Sequence, residues 1–214
     1  MYKEVCSACH SLRQIYWRHL VGVVGTEDEI KEWAAGSQYQ DGPDDSGEMY
    51  DRDGKLTDRL PLPYPNEQAA RAGNAGALPP DLSLMKKARP HGEDYIFSIL
   101  TGYREAPHGM QLREGLYYNP YFPGNAIGMR QALFDEMIEY EDGTEASISQ
   151  MAKDVTTFLC WTAEPEHDER KKLGVKTILL LTLMIPPVWY WKRFKWSVIK
   201  TRQVRFADLH KRFY

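Results

Sequence analysis

The chain has 214 residues, with 27 Lys+Arg, 30 Asp+Glu and a net charge of −3 that hides a split: residues 1–169 sum to −14 and residues 170–214 to +11. Charge asymmetry of this size places the two parts in two environments. An apolar content of 43% with 12% aromatics excludes a disordered or collagen-like chain, three cysteines exclude a disulfide scaffold, and an acidic main part excludes a basic nucleic-acid-binding domain.

The first predicted helix runs from about Tyr2 to Leu20, because Val5, Cys9, Leu12 and Tyr16 recur at three- and four-residue steps. A second starts at Thr26, with Glu29 in place for a capping box, and ends at Gly36. Residues 41–82 read as largely irregular, rich in Pro, Gly, Asp and Asn. A stretch of that length without regular structure is usually functional or wrapped round something. A helix over about Glu93 to Thr101 follows, then a short hairpin at 137–143, then a strongly amphipathic helix over Ser147 to Ala163, stopped by Pro165. Cys160 reads as a small buried apolar residue.

Leu173 to Trp191 is 19 residues with one charge, Lys176. As a helix it spans roughly 28 Å at about 1.5 Å per residue, close to the hydrocarbon thickness of a bilayer. Arg170, Lys171 and Lys172 precede it, Lys192 and Arg193 follow it, and Trp189, Tyr190 and Trp191 stand where an aromatic belt lies. Pro186 and Pro187 predict a kink in its last third. Lys192, Arg193, Lys195, Lys200, Arg202 and Arg205 follow with no acid among them. The positive-inside rule then places the C-terminus inside and the acidic domain outside, in a periplasm or an intermembrane space. The expected division is a domain at 1–169, an anchor at 170–193 and a basic tail at 194–214. A domain that crosses a membrane needs a leader and none opens this chain, so a preceding segment is expected.

Cys6-Ser7-Ala8-Cys9-His10 is a C-x-x-C-H run, the attachment signature of c-type haem. Two thiols at this spacing can form thioethers with the two vinyl groups of one porphyrin, and the next His can reach the iron. Zinc needs four ligands, usually in two pairs, and the one other cysteine is Cys160. A thioredoxin-like pair expects a βαβ setting that the pattern lacks. The second axial position has candidates by type in His19, His91, His108, Met85, Met110, Met129 and Met137. Met110 and Met129 stand in Gly/Pro-rich loops that can hold a ligand rigidly. The pattern keeps both open and leans to Met129, whose loop is longer and more apolar.

In order along nearly the whole chain, the sequence resembles the cytochrome c1 family, the haem subunits of the ubiquinol–cytochrome c reductase (bc1) complex. The resemblance is carried by the C-x-x-C-H run, Ala77-Leu78-Pro79-Pro80-Asp81-Leu82-Ser83, Gly92-Glu93-Asp94-Tyr95, Leu112-Arg113-Glu114-Gly115-Leu116-Tyr117-Tyr118-Asn119-Pro120-Tyr121-Phe122-Pro123-Gly124, Glu164-Pro165-Glu166-His167-Asp168 and the single C-terminal span. It implies a mainly α c-type cytochrome domain with long irregular loops and one C-terminal transmembrane helix. It implies haem c on Cys6 and Cys9, with His10 and Met129 as axial ligands. A haem pocket at Asn74, Pro79, Pro80, Tyr95 and Ile127 is implied as well, with Arg89 near a propionate. Arg130-Gln131-Ala132 departs from the small residue and prolines usual after the ligand Met. The loop at 41–82 and the family together imply the mitochondrial inner membrane, with the large domain in the intermembrane space.

The implied function is electron transfer from a Rieske iron–sulfur protein to soluble cytochrome c. The implied partners are cytochrome b, other subunits of a dimeric complex, and membrane lipid, with no nucleic acid. The alternatives are a membrane-anchored haem enzyme or gas sensor with an open iron site, and a structural membrane subunit.

Overall fold

A computed structural model describes residues 1–140 and 142–203. The chain divides into a unit spanning Met1–Pro165 and a second that begins at Glu166. The first is mainly helical, with short strands and long irregular connections.

The long first helix is not formed. A 3₁₀ turn spans Cys6–Ala8, the chain then runs irregularly, and α1 covers only Trp17–Leu20. The apolar spacing is nevertheless used, since Leu12 and Ile15 are almost fully buried. What breaks the helix is competition for its backbone. The N–H of Arg13 goes to the Asp81 carboxylate, that of Gln14 goes to the Ser83 hydroxyl, and the Ser11 carbonyl accepts from Leu82. Partners about seventy residues away have replaced the fourth neighbour that a helix would supply.

Helix α2 (Glu27–Ala35) follows the sequence signals closely. The Thr26 side chain accepts from the Glu29 N–H, the Glu29 carboxylate accepts from the Thr26 N–H at 2.7 Å, and Gly36 closes the far end. Residues 41–82 are less irregular than expected. Strands β1 (Gln38–Asp41) and β2 (Tyr50–Asp53) pair antiparallel from Gln38↔Asp53 to Asp41↔Tyr50. They lack apolar alternation, and the Arg52 guanidinium does the tying instead. It forks onto Asp58 at 2.6 and 2.9 Å and also bonds Asp41. Helix α3 (Glu67–Gly73) is capped by the Asn66 side chain.

Next come α4 (Met85–Ala88), α5 (Gly92–Thr101), the paired strands β3 (Tyr117–Tyr118) and β4 (Ala126–Ile127), and α6 (Ile148–Ala163), capped by Ser147. No hairpin forms at 137–143 among the described residues. A turn, Gly143 N–H to the Tyr140 carbonyl, forms there, and the surrounding chain bonds to α6 and the residues before it. Glu136 N–H reaches the Ala146 carbonyl, Asp135 accepts from Ile148 N–H, and the Tyr140 hydroxyl donates to Asp154.

One apolar cluster joins Leu12, Ile15, Trp17 and Leu20 to Ile30 and Ala34 of α2, Met85, Ile96, and Val155 and Leu159 of α6. Each large aliphatic side chain buried this way contributes roughly 1.5–3 kcal/mol. A second cluster holds Leu133, Ala146, Met151 and Ala152. Cys160 is half-buried rather than buried, and its thiol donates to Glu93.

The second unit is α7 (His167–Lys200), 34 residues that include the whole apolar stretch. It is long and apolar enough to cross a membrane. The helix continues without a break through Pro186 and Pro187, whose missing N–H groups leave the carbonyls of Thr182 and Leu183 without their usual donors. Thr177 and Thr182 turn their hydroxyls onto the carbonyls four residues back, so both hydroxyls have an acceptor within the helix. Arg193 lies over the Trp189 ring and Lys195 over Trp191, each at 5.5 Å, which sets cations against the aromatic end of the apolar stretch. The basic tail expected at 194–214 is helical to Lys200, and residues 204–214, including Arg205, lie outside the described residues.

Candidate haem-attachment site

The 3₁₀ turn places Cys6, Cys9 and His10 together. Cys9 N–H and His10 N–H both return to the Cys6 carbonyl, at 3.2 and 2.9 Å, so three candidate groups rise from one tight turn. All three are half-buried, and both thiols are free. Burial pushes the Cys6 thiol up to about 11. Burial also lowers the His10 imidazole below its ordinary value, against opposing effects of the Pro80 carbonyl and the Asp81 charge. A neutral imidazole is the form that binds a metal.

His10 is oriented by the expected Pro79-Pro80 segment. Its Nδ1 lies 2.8 Å from the Pro80 carbonyl oxygen. A carbonyl can only accept, so Nδ1 carries the proton and Nε2 is left with its lone pair. Asp81 anchors that segment. Its carboxylate accepts from the Ser11 hydroxyl at 2.8 Å, from Arg13 N–H at 2.8 Å and from Ser83 N–H at 3.0 Å. Partial burial raises the Asp81 carboxyl, but these bonds outweigh it and hold the group below the usual carboxylate range.

Asn74 joins the same site through a residue that the pattern did not single out. Its Nδ2 donates to the Tyr64 hydroxyl at 3.0 Å, and that hydroxyl points to the Cys9 sulfur at 3.8 Å. Tyr64 stands in Pro63-Tyr64-Pro65, where rigid flanks were its one sequence signal. Tyr95 is half-buried against the apolar cluster that also receives Cys6 and Leu82. Arg89 is exposed, with its guanidinium on the neighbouring Ala88 carbonyl, and no bond ties it to the C-x-x-C-H turn.

Ile127 is buried in β4, opposite Tyr117. Met129 follows two residues on, half-buried, with its carbonyl accepting from the Tyr103 hydroxyl at 2.8 Å. A Cβ on Gly128 would come within 3.0 Å of the Ala77 methyl, and one on Gly115 within 3.5 Å of the Ala75 methyl. Residues 75–80 thus touch the Met129 loop at one end and His10 at the other. Met110, the rival candidate, is also half-buried, in a turn closed by its N–H on the Pro107 carbonyl.

Two free thiols three apart and an adjacent imidazole with one nitrogen already engaged make a set of donors that fits covalent haem attachment. Among the described residues, no group of three or more His, Cys, Asp or Glu side chains is placed to hold a metal ion.

Comparison with known proteins gives the family and its cofactor. The family model of the Cytochrome C1 family matches residues 1–199. The chain is 60% identical over 208 residues to a Saccharomyces cerevisiae protein named "Cytochrome c1, heme protein, mitochondrial", covering 96% of this chain and 67% of that one. It is 56% identical over 204 residues to "Cytochrome c1 2, heme protein, mitochondrial" of Arabidopsis thaliana, covering 95% and 66%. A Candida albicans protein named "Cytochrome b-c1 complex catalytic subunit, mitochondrial" is 59% identical over 208 residues, covering 96% and 72%. The chain spans about two thirds of the length of the curated relatives it matches.

Proposed function

The chain belongs to the cytochrome c1 family, and from that membership we propose that it is the haem subunit of a mitochondrial ubiquinol–cytochrome c reductase, taking one electron at a time from a Rieske iron–sulfur protein and giving it to soluble cytochrome c. The observation that carries this reading is the His10–Pro80 bond beside two free thiols. It leaves the other imidazole nitrogen, in a fixed tautomer, available beside the two thiols.

In this reading the Cys6 and Cys9 sulfurs form the two thioethers. His10 Nε2 and the Met129 sulfur would hold the iron. Asn74, Pro79, Pro80, Tyr95 and Ile127 wall the pocket, and Arg89 serves a propionate. When bound, haem c supplies one-electron exchange at its iron. The protein residues orient that group, keep water from it and set its potential, which a thioether ligand raises. α7 anchors the domain in the inner membrane, with the acidic unit in the intermembrane space and the basic end in the matrix. Cytochrome b and other subunits complete a dimeric complex, which as a whole would move protons.

The open-site alternative is not favoured, since the relatives above are named as cytochrome c1 or as a bc1 subunit. An alkaline pyridine spectrum and carbon monoxide exposure test the proposal together. Two thioethers and no carbon monoxide binding in the reduced intact protein are expected. Rapid carbon monoxide uptake overturns the electron-carrier reading.

A further inference from the structure

The end of α5 carries two bonds that tie distant segments to it, and one of them ends on Met129. The last carbonyls of a helix have no partners inside the helix. That of Ile99 accepts from the Asn119 Nδ2 at 2.8 Å, and Asn119 is fully buried. The Asn119 side-chain oxygen in turn takes the Tyr121 N–H at 3.1 Å. Two residues past the helix, the Tyr103 hydroxyl donates to the Met129 carbonyl at 2.8 Å, across 26 positions of chain. Gly102 makes this reach available. It is buried, and a Cβ there would overlap the Tyr121 ring and the Ser98 carbonyl. Met129 itself lies beyond β4, in chain that forms no strand or helix up to Leu133. Its backbone therefore depends on side-chain ties rather than on a ladder.

We propose that Tyr103 is a positioning residue for the axial ligand: its hydroxyl holds the Met129 carbonyl and so restricts the backbone from which the thioether reaches the iron. This rests on the reading of Met129 as ligand. A thioether is a neutral, weakly held ligand, so a small fraction of molecules has it released at any moment. Loss of one neutral hydrogen bond shifts such an equilibrium by about fivefold. Carbon monoxide binds only the released form, so its uptake scales with that fraction.

The test measures carbon monoxide uptake by the reduced, haem-loaded protein in its membrane complex. Tyr103→Phe keeps the ring and removes the hydroxyl. Tyr140→Phe removes a different phenol bond, the one to Asp154, and controls for general loosening. Uptake should be about fivefold faster in Tyr103→Phe, with a lowered midpoint potential, and native in Tyr140→Phe. Equal uptake in Tyr103→Phe and native protein, with Met129→Leu fast, overturns the positioning role and leaves the ligand reading intact. Equal acceleration in both phenylalanine variants also overturns it. Native uptake in Met129→Leu overturns the ligand reading, and the role of Tyr103 with it.

Discussion

The Nδ1 of His10 lies 2.8 Å from the carbonyl oxygen of Pro80, 70 positions along the chain. The bond decides which nitrogen is left for a metal, and its far partner is well chosen. Proline has a fixed φ and no N–H of its own to satisfy, so its carbonyl can be aimed without bringing a backbone donor with it. Asp81, one residue on, holds that carbonyl in place through its three bonds. Metal-bound histidines commonly have such an outer partner, which fixes ring orientation and raises basicity.

The thiols give the first prediction. Cys6→Ala or Cys9→Ala should leave one thioether, seen as a shift of the alkaline pyridine band to longer wavelength because one vinyl group stays conjugated. The double substitution should abolish covalent haem on denaturing gels. Covalent haem at native level in the double variant would sink the assignment.

The axial ligand gives the second. Met129→Leu should open the iron to carbon monoxide and lower the midpoint potential by on the order of 0.1 V, a part of the roughly 0.8 V that axial ligation spans. Met110→Leu should do neither. A larger response at Met110 would reverse the ligand choice.

These two sites were not equally legible. The C-x-x-C-H run is contiguous, so its chemistry could be read directly. Met129 could not be separated from Met110 by loop composition, and the contact of Gly128 with Ala77, in the segment that reaches His10 through Pro80, is a tertiary fact. The helices divide the same way. α2 and α6 carry their own caps, all three of α2, α5 and α6 carry their own periodicity, and their expected ranges fall within a residue or so of those found. The segment after Cys9 has helical periodicity as well, but Asp81 and Ser83 take its N–H groups, and that competition is invisible locally. The β1–β2 hairpin was missed because Gln, Asp and Arg side chains, not apolar alternation, hold it. Tyr64 and Tyr103 act on the site through bonds to Cys9 and to the Met129 backbone, and no motif announces such bonds.

Asp81 gives a pH prediction. Its carboxyl lies below the ordinary value in the folded protein. A depressed group contributes stability that is fully present above the unfolded value, about 3.9, and is lost as pH falls through the folded value. Asp81→Asn should cost about 1 kcal/mol near neutrality, since partial exposure screens the charge. It should also flatten the loss of melting temperature below about pH 4. Parallel acid limbs in native and Asp81→Asn protein would show that Asp81 does not stitch residues 11–14 to 81–83.

Docking to a basic acceptor gives the last prediction. Residues 41–58 carry seven acids against Arg52 and Lys55. The structure divides those acids by what they already do. Asp41 and Asp58 are paired to Arg52, and Asp44 closes its own loop by accepting from Ser46 and Glu48 N–H. Asp45, Glu48, Asp51 and Asp53 are exposed on the hairpin and its loop, and Asp53 is tied to the hairpin by accepting from the Gln38 side chain at 2.7 Å, a bond that an amide oxygen at 53 still accepts. In the second acidic group, Glu139, Asp142 and Glu145 are exposed and Glu141 lies outside the described residues. Exposed charge acts mainly on encounter, raising association rates by roughly 10–1000-fold over short distances set by a Debye length of about 8 Å at physiological salt. Reduction of cytochrome c followed by stopped flow should therefore slow by roughly tenfold between low and moderately high salt. Replacing Asp45, Glu48, Asp51 and Asp53 by amides should flatten that slope without loosening the hairpin. Replacing Asp41 and Asp58 should lower stability more than it changes the slope, because their charge is spent on Arg52. A salt-independent rate in the native protein would remove steering from the mechanism, and a slope unchanged by the four substitutions would move it to the group around Glu139.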